Sequence, residues 1–151
     1  MRLISPHTLI SILVNDQDEA LQFYTRVLGL EKRSDIDFGP GLRFLTVAPR
    51  GQKKPELALA QPDVALYGET YVNELKGKQR QKLSSIFVTD NCQETYTHLS
   101  QLGVTFVSEP TNQLYGVEAV FLDPSGNPFA LIEATHGIRS LFKNKFMGTA
   151  A

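Results

Sequence analysis

The sequence predicts an α+β fold built from two similar modules, each in the order strand, helix and three strands (βαβββ). The first observation is a short apolar run that recurs at a fixed offset: Leu9–Val14 before Asp16, and Leu83–Val88 before Asp90. The two aspartates are 74 positions apart, and so are Gly29 and Gly103, which end the helical patterns that follow. Three β-like runs come after each glycine. A duplication of this kind determines the fold class before any single motif does.

The first module is assigned to residues 8–61. Asp16 and Glu19 follow its first strand at the spacing of a helix-capping pair. The predicted helix carries an apolar stripe at helical spacing: Ala20, Tyr24, Val27 and Leu28. Glycine and proline turns separate the strands that follow: one strand up to Gly39-Pro40-Gly41, then Leu42–Ala48, then Glu56–Ala60.

The second module is assigned to residues 83–134. Asp90 and Gln93 form the equivalent capping pair. The helical stripe consists of Cys92, Tyr96, Leu99 and Leu102. The predicted strands are Val104–Ser108, Val117–Leu122 and Phe129–Glu133, with turns at Pro110 and Asn112 and at Asp123-Pro-Ser-Gly-Asn127.

We interpret residues 1–151 as a single domain in which the two modules pair, within the chain or across a dimer, because one module alone covers its sheet poorly. Residues 62–82 change composition and contain several lysines and arginines, which predicts a solvated linker with a short helix. Residues 135–151 form a C-terminal tail whose large apolar side chains predict partial packing.

The composition excludes several classes of function. With 15 basic and 16 acidic side chains, the chain has no basic field for nucleic acid and no polybasic membrane anchor. The apolar stretch Leu9–Val14 is far too short to span a bilayer. A single cysteine, Cys92, excludes a disulfide within the chain and favours a cytoplasmic location.

The string Val14-Asn-Asp-Gln-Asp-Glu-Ala-Leu-Gln-Phe-Tyr-Thr-x-x-Leu-Gly29, with Tyr115-Gly-Val and Asp123-Pro-Ser-Gly-Asn127 near the end, resembles the vicinal oxygen chelate superfamily. That group contains glyoxalase I, bleomycin-resistance proteins, fosfomycin-resistance enzymes and extradiol dioxygenases. The resemblance extends from about Thr8 to Glu133. It implies paired βαβββ modules that form a curled mixed sheet around a cleft, commonly in a homodimer.

Metalloenzymes of that superfamily hold a divalent metal through the first and last strands of each module, where the ion acts as a Lewis acid. The equivalent positions here, with the alternatives that the repeat leaves open, are Leu9, Leu83 or Ser84, Glu56 or Leu57, and Ala130. A lone carboxylate does not hold a catalytic divalent ion, since such sites use about three protein ligands. We therefore expect no metal and no other cofactor.

Histidine and cysteine do not replace this ligand set. His7 precedes Leu9 by two positions and could share its face, whereas His98 and His136 lie outside the predicted strands. Cys92 would lie in the first turn of a helix but continues its apolar stripe, so we interpret it as buried core. The sequence shows no nucleophile elbow, phosphate-binding glycine loop or acid–base pair.

A ligand pocket remains the best interpretation of the site. Our candidate ligand-binding residues, which would orient a small molecule while apolar neighbours exclude water, are Arg43, Glu56, Tyr115, Glu118 and His7. Arg43 could clamp a carboxylate or phosphate, or lie solvated on its strand. Tyr115 precedes Gly116 as residues at the cleft mouth often do in the superfamily that the chain resembles.

The favoured function is that of a glyoxalase- or bleomycin-resistance-like protein, which binds a small molecule in the cleft between its modules without the usual metal. One alternative is a lyase, isomerase or dioxygenase with a rearranged metal site, or a metal-free catalyst using Glu56, His7 or Tyr115. Another is a dimeric interaction or regulatory scaffold with a vestigial cleft. The expected partners are a small-molecule ligand and a second copy of the chain, with neither nucleic acid nor membrane.

Overall fold

The computed structural model of the protein describes residues 3–134 and shows an α+β fold with two four-stranded mixed sheets. This confirms the predicted fold class and the two βαβββ modules. The described chain divides into two compact units, residues 3–82 with 124–127, and residues 83–123 with 128–134. The predictions for His136 and for the tail 135–151 lie outside the described residues.

The first unit contains four strands and three helices. Its elements are β1 (Leu9–Leu13), α1 (Gln17–Gln22) continued by a π-helical turn (Phe23–Val27), β2 (Glu31–Asp37), β3 (Arg43–Ala48), β4 (Glu56–Ala60), α2 (Val64–Tyr67) and α3 (Glu69–Arg80). The sheet order is β1-β4-β3-β2, with β1 parallel to β4 and the other pairs antiparallel. One face of the sheet lies in the core and carries these buried apolar side chains: Ile12, Leu45, Val47, Leu57 and Leu59.

The second unit has the same order of strand, helix and three strands, with α4 as its helix. Its elements are β5 (Ser85–Val88), α4 (Cys92–Gln101), β6 (Thr105–Gln113), β7 (Gly116–Leu122) and β8 (Pro128–Ala134), in the sheet order β5-β8-β7-β6. Its core is aromatic: Phe87, Phe121 and Phe129 stack in pairs with ring centroids 5.2 to 6.2 Å apart. Such offset ring pairs add stability beyond the area that they bury.

The two helix starts show where the repeat is inexact. Asp16 caps α1 as predicted, accepting from the Glu19 N–H at 2.9 Å. The prediction of Asp90 as the second cap is wrong, because Asn91 accepts from the Glu94 N–H at 2.9 Å. Gly29 therefore follows its cap by 13 positions and Gly103 by 12. The π-helical turn accounts for the additional residue, since such turns insert one residue into an α-helix.

A second correction concerns β6, which continues through Pro110 to Gln113 where a turn was predicted. Its pairing with β7 shifts register twice, between Phe106 and Ser108 and between Ser108 and Thr111. An edge strand with such bulges accommodates a proline, which has no N–H to donate. The turn before β7 lies instead at Leu114 and Tyr115.

The segment 62–82 contains α2 and α3, and α3, at 12 residues, is longer than the short helix that was predicted. Gln79 of α3 pairs with the free edge of β1: its Oε1 accepts from the Leu13 N–H at 2.7 Å and its Nε2 donates to the Ser11 carbonyl at 3.1 Å. The side-chain amide thus occupies edge groups that would otherwise lack a strand partner. No helix within residues 3–134 has the length and apolarity needed to span a membrane.

Candidate functional site

Strand register determines which candidate residues of the first unit share a sheet face. Glu56 pairs with Leu9 of β1, and Thr46 pairs with Ala58, so Glu56 and Thr46 lie on the same face. Arg43 lies on the opposite face, which carries α1. Arg43 is also the first residue of β3, whereas Glu56, the first residue of β4, lies beside the last residues of β3. The structure therefore does not bring Arg43 and Glu56 together.

Arg43 is engaged by two carboxylates. Its guanidinium bonds Asp35 in a bidentate pair, at 2.8 Å from Nε and 2.9 Å from Nη2, and Asp18 of α1 at 2.8 Å from Nη1. The hydrogen bonds that Arg43 donates to Asp35 and then to Asp18 raise the pKa of Arg43 above its usual range, and the bond accepted from Arg43 lowers the pKa of Asp35. The donors that could clamp a ligand anion are thus already paired with carboxylates of the chain.

The positions equivalent to metal ligands hold few donor atoms. Glu56 accepts from Thr46 Oγ1 at 2.7 Å, and its register partner Leu9 has no donor atom. In the second unit, Ala130 is buried in β8 in register with Ile86. Within residues 3–134, no three His, Cys, Asp or Glu side chains are grouped so as to hold a metal. These residues do not fit the divalent metal of the metalloenzymes described above.

Two predicted site residues meet in the second unit. Tyr115 lies in the turn between β6 and β7, and its hydroxyl group interacts with the carboxylate of Glu118 in β7. Desolvation, followed by this interaction with the Glu118 carboxylate, raises the pKa of Tyr115. His7 lies exposed in the segment before β1, and His98 is exposed on α4. Tyr115 and Glu118 are therefore neighbours, and within residues 3–134 neither His7 nor His98 belongs to a group of three His, Cys, Asp or Glu side chains that could hold a metal.

Cys92 is buried core, as predicted. Its thiol lies 3.7 Å from the Leu131 carbonyl, and its backbone N–H donates to Glu133 Oε1 at 2.8 Å. Burial and then the Glu133 charge raise the pKa of the Cys92 thiol. A raised pKa disfavours the thiolate, so the residue lacks the features of an activated nucleophile.

Sequence reasoning missed a groove in the first unit, beside the β2–β3 turn and the β4–α2 connection. It has a volume of about 550 Å³, within the range of ligand pockets. We call it the apolar groove, and its large side chains are Phe38, Leu42, Phe44, Pro62, Leu66 and Tyr67. Phe38 is 66% exposed and Leu66 is 70% exposed. Large apolar side chains grouped at a surface mark interaction or ligand sites more often than isolated ones do.

A second groove adjoins the first. It has a volume of about 720 Å³, and we call it the acidic groove because four aspartates line it: Asp16, Asp18, Asp37 and Asp63. The two grooves share six lining residues: Gly41, Leu42, Arg43, Gln61, Pro62 and Asp63. They therefore form neighbouring parts of one surface of the first unit.

Gln17 is bonded to two residues that line both grooves, Arg43 and Gln61. It is 9% exposed, and its Nε2 donates to the carbonyls of Arg43 and Leu59 at 3.0 and 2.9 Å. Its backbone N–H donates to Gln61 Oε1 at 3.2 Å. The sequence contained a signal for this role: Gln17 lies three positions before Ala20, so the stripe of α1 extends to it.

Comparisons with known proteins identify the family. The model of the Glyoxalase/Bleomycin resistance protein/Dioxygenase superfamily matches residues 5–131. YurT, an uncharacterised protein of Bacillus subtilis (strain 168), is 33% identical over 123 residues, which cover 82% of this chain and 94% of that protein.

Two solved structures are similar over their full length. UcmS2 has 37% sequence identity and a TM-score of 0.78, covering 89% of this chain and 100% of that one. TnmS3, an antibiotic binding protein from Streptomyces sp. CB03234, has 27% identity and a TM-score of 0.66, with the same coverage of both chains. The matched family model and these relatives show that the chain belongs to the Glyoxalase/Bleomycin resistance protein/Dioxygenase superfamily.

Proposed function

We propose that this protein binds a small, largely apolar organic molecule in the apolar groove of its first unit, and that it does so without a divalent metal. Binding of this kind would serve sequestration or carriage of the ligand. The observation that carries the proposal is the group of exposed aromatic and aliphatic side chains around the groove, including Phe38, Leu66 and Tyr67.

Burial of these side chains by a ligand would supply the binding free energy. Apolar surface removed from water contributes roughly 25 cal/mol per Å², and aromatic side chains carry much of it in ligand sites. The groove is mainly apolar but has a few polar groups at its edge, such as Asp63 and Gln61, which could fix a ligand's orientation. The similarity to TnmS3, itself an antibiotic binding protein, supports a small organic ligand.

The expected independence from metal rests on donor chemistry. Leu9 and Ala130 have hydrocarbon side chains, and Glu56 is the one carboxylate at the equivalent positions. Catalytic sites for divalent ions need about three protein ligands with an open position. A ligand held by apolar contacts needs none of these groups.

The experiment is a calorimetric titration with the neutral aromatic probe 1-naphthylmethanol. The double variant Phe38→Ala/Leu66→Ala removes two exposed side chains of the groove, so its fold should be preserved while its affinity falls by at least about fivefold. Val107→Ala is the matched control, because Val107 is an exposed apolar residue of β6 outside the groove. Equal affinity in the double variant, or no probe binding at millimolar concentration, would overturn the proposal.

Metal dependence is tested on the same protein. Elemental analysis of protein purified without chelator should show no stoichiometric zinc, nickel, iron or manganese, and treatment with EDTA should leave probe affinity unchanged. A stoichiometric metal whose removal abolishes binding would favour the enzymatic alternative with a rearranged metal site.

A further inference from the structure

The acidic and apolar grooves form one continuous ligand-facing surface with two different chemistries. Leu42 and Asp63 line both grooves, so the apolar side chains and the carboxylates are within the reach of a single small molecule. A ligand that fills the apolar groove would therefore place any polar substituent close to the acidic groove. The sign of the charge there decides which substituents are favoured.

The charge of the acidic groove is negative after its cation is accounted for. Arg43 is paired with Asp18 and Asp35 at 2.8 Å. Asp16, Asp37 and Asp63 form no ion pair with a lysine, arginine or histidine within residues 3–134. Three carboxylates thus lack a cationic partner within 4 Å in the described part of the chain, and the groove lining carries four carboxylates against the single guanidinium of Arg43.

These carboxylates are held in place by the backbone. Oδ1 of Asp16 accepts from the Glu19 N–H at 2.9 Å, and Oδ1 of Asp37 accepts from the Gly39 N–H at 2.8 Å. Oδ1 of Asp63 accepts from the Ala65 N–H at 2.9 Å. An ionised carboxylate can accept at about four sites, so each one retains capacity for a ligand donor. Positions fixed before binding reduce the ordering cost that a ligand must overcome.

We infer that the ligand class is a cationic aromatic or amphiphilic amine, with its apolar body in the apolar groove and its ammonium group at Asp37 and Asp63. This inference rests on the proposed function, because it specifies the ligand of the same site. Charge complementarity supports the cation, and the exposed Phe38 and Tyr67 support the aromatic body. The absence of a metal-binding cluster within residues 3–134 argues against a bare divalent cation as the occupant.

The experiment compares three probes that share a naphthalene ring: 1-naphthylmethylamine, 1-naphthylmethanol and 1-naphthoate. At pH 7 and low salt, the amine should bind at least about fivefold more tightly than the alcohol, and the carboxylate should bind more weakly than the alcohol. The preference for the amine should shrink as salt is raised, because the interaction is between exposed charges.

The double variant Asp37→Asn/Asp63→Asn removes two charges while asparagine preserves the backbone hydrogen bonds of the turn and the α2 cap. The affinity for the amine should fall to that for the alcohol, whose own affinity should not change. Asp90→Asn is the matched control, since Asp90 is exposed and lies outside the groove.

Equal affinity of amine and alcohol, or unchanged amine affinity in the double variant, would overturn the inference and leave the proposed function standing. Failure of all three probes to bind would overturn both.

Discussion

Gln17 Nε2 donates to the carbonyl oxygen of Arg43 at 3.0 Å, which ties the first residue of α1 to the first residue of β3 beside both grooves. The same nitrogen donates to the Leu59 carbonyl, in β4. One amide side chain therefore satisfies two strand carbonyls and fixes the helix start against the sheet.

Replacement of Gln17 by Ala should destabilise the protein by about 1–3 kcal/mol, because it leaves polar groups without donors in a buried setting. Urea unfolding checks the change. Gln22→Ala is the matched control, since Gln22 is exposed on the same helix and should change stability little. A Gln17→Ala variant as stable as the control would contradict the structural role of this amide.

Stability in acid should depend on Asp35. The Arg43 hydrogen bond lowers the pKa of Asp35 from its ordinary value of 3.8. A carboxyl with a lowered folded pKa contributes stability that is present above its unfolded pKa and is lost as pH falls through the folded pKa. Asp35→Asn should therefore reduce the loss of unfolding free energy below about pH 4. Identical pH profiles for the variant and the parent would refute the prediction.

The Cys92 thiol should react slowly in the native protein. Burial and the Glu133 charge raise its pKa, and the side chain is 0% exposed. Its reaction with a chromogenic disulfide at pH 8 should be at least about tenfold slower than in urea-unfolded protein. If the native protein reacted at the rate of the unfolded chain, the Cys92 thiol at the start of α4 would be accessible to the reagent, contrary to the structure.

Two glycines should respond to alanine in opposite directions. A Cβ on Gly116 would lie 2.0 Å from the Glu133 carbonyl oxygen, and the residue has φ of +144°, so Gly116→Ala should cost at least about 2 kcal/mol. Gly77 lies within α3 with nothing within 4 Å of the added Cβ, so Gly77→Ala should stabilise the protein by about 0.5–1 kcal/mol. Thermal unfolding of both variants checks the signs, and matching signs would be inconsistent with the structure.

We also predict a homodimer in solution. On one face of β5, Ile86 is 54% exposed and Val88 is 47% exposed, and apolar side chains grouped at a surface favour association with a partner. Sedimentation equilibrium should give twice the chain mass of 16.8 kDa. The measurement is made at about 100 µM protein, a concentration well above the usual dissociation constants of stable dimers. A measured mass equal to that of one chain would rule this prediction out.

Local patterns in the sequence were sufficient for the order of the elements within the two modules, but not for the two helices of residues 62–82. The strand Glu56–Ala60 was predicted with its observed bounds, since the turn before it and the alternation within it are local features. The Asn91 cap was missed because the π-helical turn, which shifts the repeat by one residue, leaves no clear mark in the sequence. Pro110 was read as a turn because the bulges that accommodate it depend on pairing with β7.

The site was harder to predict than the fold. Whether Arg43 shares a face with Glu56 depends on the pairing of Thr46 with Ala58, and a shift of one residue would reverse the answer. The apolar groove is built from a turn and a connection between elements, whose side chains follow no helical or strand period. The sequence nevertheless contains a signal that was not used: Phe38 and Phe44 are apolar residues on either side of the Gly39-Pro40-Gly41 turn.

The most direct test of ligand binding at the apolar groove is amide chemical-shift mapping by NMR during titration with 1-naphthylmethylamine. The expected result is a saturable shift of amides at Phe38, Phe44 and Leu66 and at the adjoining Asp63. Largest shifts at Tyr115 and Glu118 would place the ligand in the second unit instead. That result, or the absence of any saturable shift, would contradict the proposed site.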